Sequence, residues 1–182
     1  VTELKLDIAE ADHKNRMVKS SLDKHATILG SFLGDELIGT VTINFAYKDL
    51  GPFIAFHEME AFRPFFPERS SMTTKLLVKP EYRRGPTAMA LVKAAYKTAS
   101  QGGSLFDHVC FHPRQRSLFA RLGYRQVLPQ LNLPGYGMSY RMVLVVRDKE
   151  HLSKVRSPFR RLVPQGDDCG TVQWFNQNFE VL

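Results

Sequence analysis

Residues 72–91, MTTKLLVKPEYRRGPTAMAL, decide how the rest of the chain is read. Thr73, Thr74, Leu76, Leu77 and Val78 are the β-branched and long apolar types that suit a strand, and Lys79-Pro80 closes the run. A basic turn follows, Glu81-Tyr82-Arg83-Arg84-Gly85-Pro86. From Thr87 onward Met89, Leu91, Val92, Ala95 and Tyr96 recur at spacings that gather apolar surface on one side of a helix, which Gly102-Gly103 stops. A strand that runs into a basic turn and then a helix turns the helix's unpaired N–H groups and positive dipole end toward an anion. An Arg-Arg-Gly-Pro turn by itself is more often an exposed loop, so the flanking segments must decide.

Working outward, residues 27–45 hold two β-rich runs around Gly34-Asp35-Glu36 and read as an antiparallel hairpin. Residues 46–71 form a long connection with Phe53, Phe56, Phe62, Phe65 and Phe66, in which Pro52, Pro64 and Pro67 break any long helix. A connection of this length is functional or has structure of its own; its aromatics serve either to plug it onto the core or to line an apolar channel. Downstream come a strand at 106–111, a short helix at 115–122 and a strand at 138–146. The order β-β, connection, β-α-β-α-β indicates a mixed α/β fold. Residues 4–22 carry a loose helical pattern and are expected to form weak helices.

With 182 residues the chain suits one domain, placed at 1–148, and a basic C-terminal extension at 149–182 packed on or near it. That extension reads as a solvated tail anchored by Trp174-Phe175, or as a docking surface. A hydrophobic fraction of 43% and a charged fraction of 24% are those of a globular domain, and no apolar run approaches the ~20 residues of a membrane span. The residues shown carry no signal segment, so a cytoplasmic setting is expected. The net charge of +7 suits an anionic partner. Nucleic acid is not expected, because no zinc-finger, RNP or heptad pattern appears. Cys110 and Cys169 give neither a disulfide framework nor metal-ligand spacing, and Cys110, in an apolar strand, reads as a buried inert thiol. No metal is expected.

Leu76-Leu77-Val78-Lys79-Pro80-Glu81-Tyr82-Arg83 resembles the fourth strand and donor-loop start of the GCN5-related N-acetyltransferase superfamily. Phe119-Ala120-Arg121-Leu122-Gly123-Tyr124 resembles its later Leu-Gly-aromatic signature, and with the hairpin the resemblance spans residues 27–146. It implies a mixed, mostly antiparallel central sheet flanked by helices, with the long aromatic connection before the fourth strand. Two departures stand out. The family's donor loop, laid on Arg83, puts Pro86 where its first glycine belongs and Ala88 at the second small position. Phe119 stands where many members carry a tyrosine that protonates the departing thiolate, and Tyr124 is read as a packing residue.

These departures, the long connection and the basic tail are most similar to the long-chain N-acyl amino acid synthases and acyl-homoserine-lactone autoinducer synthases. The autoinducer enzymes' Glu-any-Ser-Arg falls on Met72-Thr73-Thr74-Lys75, so their acid is absent and lactone chemistry is not carried over. The resemblance implies an N-acyltransferase that moves a long acyl group from an acyl-phosphopantetheine donor, acyl carrier protein or coenzyme A, to the amine of an amino acid or similar small molecule. No tightly bound cofactor is implied. Alternatives are an acetyl-coenzyme A-dependent acetyltransferase and a non-catalytic acyl-binding module of the same fold. Backbone N–H groups of Leu77 and Val78 are the expected oxyanion donors. His57, Glu58, Glu60 and His112 are candidate bases, with Glu58 preferred because surrounding phenylalanines would desolvate it. Lys79, Tyr82, Arg83, Arg84, Gly85 and Ala88 are expected at the donor, and Phe53, Phe56, Phe62 and Thr74 at the substrate. Arg83, Arg84, Arg114 and Arg116 are expected to meet an acidic carrier protein.

Overall fold

A computed structural model describes residues 20–133, 137–166 and 168–182, with residues 11, 12, 14, 17 and 18 nearer the N-terminus. The helices expected over 4–22 fall largely outside the described residues. Within that stretch Ala11–Asp12 (β1) pairs antiparallel with Met17–Val18 (β2), and Ser21–Lys24 forms a 3₁₀ turn. Ser20 and Asp23 cap this turn reciprocally: Leu22 N–H donates to Ser20 Oγ at 3.3 Å, and Ser20 N–H donates to Asp23 Oδ2 at 2.9 Å.

The hairpin forms as read, Thr27–Leu33 (β3) against Glu36–Phe45 (β4). The connection folds into three short helical pieces, a 3₁₀ turn at Ala46–Lys48, Phe53–Phe56 (α1) and a 3₁₀ turn at Met59–Phe62. Ser70–Val78 (β5), Thr87–Gln101 (α2), Phe106–Phe111 (β6) and Arg116–Leu122 (α3) follow in the expected order. Leu131–Leu133 (β7) was not anticipated; three residues between loops give no periodicity to read. Gly137–Val145 (β8), Lys149–Lys154 (α4) and Thr171–Asn178 (α5) complete the chain.

Six strands make one sheet in the order β3-β4-β5-β6-β8-β7, antiparallel except for β5 and β6. This is the mixed, mostly antiparallel sheet expected from the sequence. On one face α2 lays Leu91, Ala95 and Ala99 over Val41, Ile43 and Phe45. Beside them Val92, Tyr96, Phe119 and Leu122 meet Val109, Phe111, Met142 and Leu144. On the other face the connection packs Met59 and Leu50 on Met72, while Phe62, Phe106, Val143, Val145 and Phe175 form an aromatic cluster. Each large apolar side chain so buried stabilises the fold by about 2–3 kcal/mol before entropy is counted.

Residues beyond 148 are built into this core. Leu152 and Phe159 are at 0% and 1% exposure against α2 and the sheet, and Phe159 stacks on Tyr96 at 4.5 Å. Phe175 is fully buried on the opposite face. A buried ion pair, Arg125 Nη2 to Asp148 Oδ2 at 2.8 Å, fixes the chain where it enters α4. No helix among the described residues is long and apolar enough to cross a membrane.

Candidate active site

The site is a gap in the sheet. β5 and β6 pair over Ser70↔Phe106, Ser71↔Asp107 and Met72↔His108 and no further, although β5 runs on to Val78 and β6 to Phe111. Beyond Met72 the two strands lean on opposite partners. β5 follows β4 up to the Gly39↔Val78 pair, and β6 follows β8 up to Phe111↔Tyr140. An extra residue in β5 helps to open the gap: between Thr40↔Leu77 and Thr42↔Thr74, β4 advances two residues and β5 three, and Lys75 sits at φ 50°. That is a bulge, which bends a strand and re-aims its edge.

A buried network holds the base of the gap. Asp107 accepts from Ser71 Oγ at 2.7 Å and from Tyr124 Oη at 2.5 Å. Burial pushes the Asp107 carboxyl up, against the opposing pull of hydrogen bonds from Tyr124, Ser71 and Thr73, and burial likewise raises the Tyr124 phenol. The Leu-Gly-aromatic phrase thus has a physical meaning. Leu122 is core, Gly123 ends α3 at φ 110° where a Cβ would stand 2.4 Å from Leu152, and Tyr124 clamps the two strands from which the gap opens.

The oxyanion donors separate. Lys79 N–H donates to Ile38 O at 3.0 Å, toward β4. Alternation along a strand then turns the N–H and C=O of Val78 to the other edge, into the gap, and those of Leu77 toward β4. The Val78 carbonyl, on the gap side, accepts from Arg83 Nε at 3.0 Å, in agreement. Of the expected pair, Val78 therefore presents its N–H to the gap, and Leu77 turns its own toward β4.

At the mouth of the gap stands the N-terminus of α2. The first intrahelical bond runs from Ala90 N–H to Pro86 O at 2.9 Å, so the N–H groups of Thr87, Ala88 and Met89 point out of the helix with no side-chain cap. Gly39 lets this end approach β4: a Cβ there would lie 2.9 Å from Leu77 O and 3.0 Å from Leu91 Cδ1. Arg83, Arg84 and Gly85 are exposed around the turn, and Ala88 is half-buried. The Gly85 N–H is already used inside the turn, donating to Tyr82 O at 3.1 Å. Lys79 and Tyr82, expected at the donor, face the hairpin instead. Lys79 Nζ lies 2.5 Å from Glu36 Oε1, and Tyr82 Oη donates to Glu36 Oε2 at 3.1 Å. The Lys79 hydrogen bond lowers the Glu36 carboxyl, and the same bond raises the lysine.

The face of the gap opposite α2 is polar. Asn44 Nδ2 donates to Thr74 Oγ1 at 3.2 Å, which places Thr74 on the β5 side of the opening. Lys75 Nζ lies 2.7 Å from Asp23 Oδ1. Burial works to raise the Asp23 carboxyl, but the hydrogen bond and charge of Lys75, with the Ser20 N–H, leave it lowered. On the β6 and β8 side stand Cys110, whose thiol burial pushes up, and Arg141, directly opposite it in register. Arg141 is 3% exposed; Nη1 donates to Phe56 O at 2.7 Å and Glu58 Oε1 at 3.1 Å, and Nη2 donates to Pro129 O at 3.2 Å. Sequence reasoning missed Arg141 and Asn44. Nothing in a β-strand's spelling separates a buried charged residue from a solvated one.

The connection brings Phe56 and Glu58 to this face and leaves others away from it. Phe56 packs under the Arg141 guanidinium at 5.7 Å. Glu58 is not desolvated among phenylalanines as expected: its side chain is 52% exposed and ion-paired. Phe53 is half-buried with the Leu50 and Met59 cluster. Phe62 is fully buried, 4.8 Å from His108 and 4.5 Å from Phe179, so it plugs the core and lines no channel. His57 is corrected as a candidate base: burial, then the Arg141 charge, lowers its imidazole to about 3. A base that weak holds no proton near neutrality. Glu60 is exposed and pairs loosely with Arg63, and His112 Nδ1 accepts from Arg114 N–H at 3.3 Å. Phe119 is buried, stacked on Phe111 at 4.1 Å, and offers no proton. Among the described residues no cluster of His, Cys, Asp and Glu could hold a metal ion.

A mixed sheet that splits between its one parallel pair, with a helix N-terminus at the mouth, is similar in fold to solved N-acyl amino acid and acyl-homoserine lactone synthases. The likeness is one of fold. FeeM, an N-acyl amino acid synthase from uncultured soil microbes, superposes with a TM-score of 0.58 at 18% identity, over 68% of this chain and 74% of that one. The coenzyme A-dependent acyl-homoserine lactone synthase MesI gives 0.57 at 17% identity over 84% and 76%. TofI, solved in a ternary complex with an inhibitor and MTA, gives 0.62 at 14% identity over 89% and 85%. No family model matches the sequence, and no curated protein matches it.

Proposed function

We propose that the protein is an N-acyltransferase that moves a long-chain acyl group from a phosphopantetheine thioester, carried by acyl carrier protein or coenzyme A, to the amine of an amino acid or related small molecule. The observation that carries this reading is the opening between β5 and β6 beyond Met72, with Val78 N–H aimed into it and the α2 N-terminus at its mouth. The donor's phosphate lies against the N–H groups of Thr87, Ala88 and Met89, with Arg83 and Arg84 nearby in charge. Pro86 removes one donor that a glycine would supply. The pantetheine arm then runs into the gap and presents the thioester carbonyl to Val78 N–H.

The acceptor enters from the polar face. Its neutral amine attacks the carbonyl carbon, the oxyanion forms against Val78 N–H, the C–S bond breaks as the amide forms, and the amine's proton leaves through the open polar face. A preformed donor of this kind supplies about 3–4 kcal/mol of transition-state stabilisation. With Phe119 in the acid's place the sulfur departs as thiolate, whose ordinary pKa of about 8.5 makes it a tolerable leaving group, and takes its proton from water. Exposed Arg114 and Arg116, with Arg83 and Arg84, suit an acidic carrier protein more than coenzyme A alone needs. FeeM is described as an N-acyl amino acid synthase and MesI as a coenzyme A-dependent acyl-homoserine lactone synthase, and both lend the reading support.

The test is mass spectrometry of small molecules released from the purified protein by organic solvent. An N-acyl amino acid with an acyl chain of eight or more carbons is expected; recovery of coenzyme A with only short acyl groups would favour acetyl transfer instead.

A further inference from the structure

β3 is the open edge of the sheet. It ends the strand order, bonded to β4 on one side, and among the described residues nothing pairs with its other side. Exposed edges usually carry a blunting device: a lysine, a proline, an inward charge or a very short strand. Thr27–Leu33 has none of these in its seven residues, and Ile28 and Phe32 are 55% and 62% exposed. Leu29 packs toward α2, so alternation puts Ile28, Gly30 and Phe32 on the other face. There Phe32 and Leu37 fold over Gly30, where a Cβ would stand 2.8 Å from Phe32 Cε2 and 3.0 Å from Leu37 Cδ1. The same three residues turn their backbone to the free edge. The hairpin loop Gly34-Asp35 has two residues, so the flanking pair Leu33↔Glu36 exchanges its hydrogen bonds and the N–H and C=O of Phe32 point away from β4. The bulge between Ser31 and Phe32 places its extra residue, Ile38, in β4, so alternation along β3 is unbroken and Gly30 and Ile28 follow Phe32.

We propose that the β3 edge pairs antiparallel with the same edge of a second copy of this chain, about a two-fold axis at Gly30, and so joins two sheets into one. The strand is self-complementary in that register. Gly30 meets Gly30 of the second copy and Ile28 meets Phe32 of the second copy on the same face, so each outward N–H finds an outward C=O and the apolar side chains touch across the junction. The ends also match in charge. Lys24 and His25 precede β3 and Asp35 follows it; all three are exposed, and neither Lys24 nor Asp35 has an ion-pair partner among the described residues. Antiparallel pairing sets Lys24 and His25 of each copy beside Asp35 of the other. An isologous contact of this kind closes at two copies and leaves no β3 edge open. One seven-residue strand makes an interface below the ~800 Å² per partner of a standard one, so association in the micromolar range is expected. β4 and β5 separate this edge from the gap, so the pairing leaves the site open and stands apart from the acyl-transfer reading.

Sedimentation velocity over about 1–200 μM tests this, and the parent should pass from monomer to a species of twice its mass. Ile28→Lys combined with Phe32→Lys sets lysine opposite lysine in this register and should weaken the dimer about tenfold or more. Ile28→Lys combined with Phe32→Glu sets lysine opposite glutamate and should restore it. Both positions are exposed, and unchanged melting in circular dichroism confirms the fold of each variant. Hydrogen exchange gives a second readout: the amides of Ile28, Gly30 and Phe32 should be protected at high protein concentration and exchange freely at low. A parent that stays monomeric throughout overturns the proposal. A dimer indifferent to the two lysines lies on another surface, and one that the glutamate does not restore lacks this register; either result overturns it. Protection of the three amides in the monomer would mean that the chain's own residues cover the edge, and overturns it as well.

Discussion

Single residues here carry more of the stability than of the chemistry. His57 and His108 lie 5.8 Å apart in a buried aromatic pocket; burial drives both imidazoles down, His57 to about 3, and neither ring nitrogen of His108 has a partner among the described residues. Unfolded, each would take a proton below about pH 6.5. The unfolded state therefore binds more protons, and stability is full above pH 6.5 and falls as the pH drops toward 3. At pH 5 the His57 share of that loss is about 2 kcal/mol. The melting temperature of His57→Phe is accordingly expected to fall less steeply between pH 7 and 4.5 than that of the parent; identical slopes in thermal scans would refute the assignment. Tyr124 makes a second case. Tyr124→Phe leaves one oxygen of buried Asp107 without its donor, and chemical denaturation should show a loss of about 1–3 kcal/mol. The sequence identified Tyr124 as packing from its place in the phrase, but the carboxylate it clamps sits 17 residues earlier and had no local mark.

At the scale of elements, the strand, basic turn and helix at 70–101 and the hairpin at 27–45 were legible because period-2 and period-3.6 patterns end there on Pro and Gly. The site was less so. Its opening depends on where pairing stops, and its polar face on side chains from β4, β5, β8 and the connection that meet only across the sheet. Lys79 and Tyr82 show the limit. They lie within the motif, yet their partner is Glu36, 43 residues before Lys79. Gly39 carries the element-scale prediction. Gly39→Val drives a branched side chain at the rigid Leu77 carbonyl and against the Leu91 and Thr87 side chains of α2. It should raise the KM for the thioester donor by about tenfold at a stability cost of about 1–3 kcal/mol, measured by steady-state kinetics and denaturation on one preparation. A normal donor KM in a strained variant would show that α2's N-terminus does not bind the donor.

At the scale of the molecule, the segment read as an extension is a structural part of the core. Removing 149–182 takes Leu152, Phe159 and Phe175 from buried clusters on both faces of the sheet. At about 3–5 kcal/mol for each aromatic lost, this matches the whole stability of a domain, and the 1–148 fragment is expected to lack a cooperative melting transition in circular dichroism. The reaction's pH dependence is also a property of the whole site. With His57 and His108 held neutral, no imidazole of the pocket titrates near 7, so kcat/KM should rise with pH until the acceptor's own amine is deprotonated; a bell centred near pH 7 would point to a base outside this account. The central claim is that the gap between β5 and β6 transfers long acyl groups to amines. Its most direct measurement is mass-spectrometric detection of product after incubation with acetyl- and dodecanoyl-coenzyme A, dodecanoyl-acyl carrier protein and the proteinogenic amino acids. An N-dodecanoyl amino acid, formed with release of one thiol per amide, is the predicted result. Preferential turnover of acetyl-coenzyme A, or no N-acylated product from any thioester by folded protein, would contradict it.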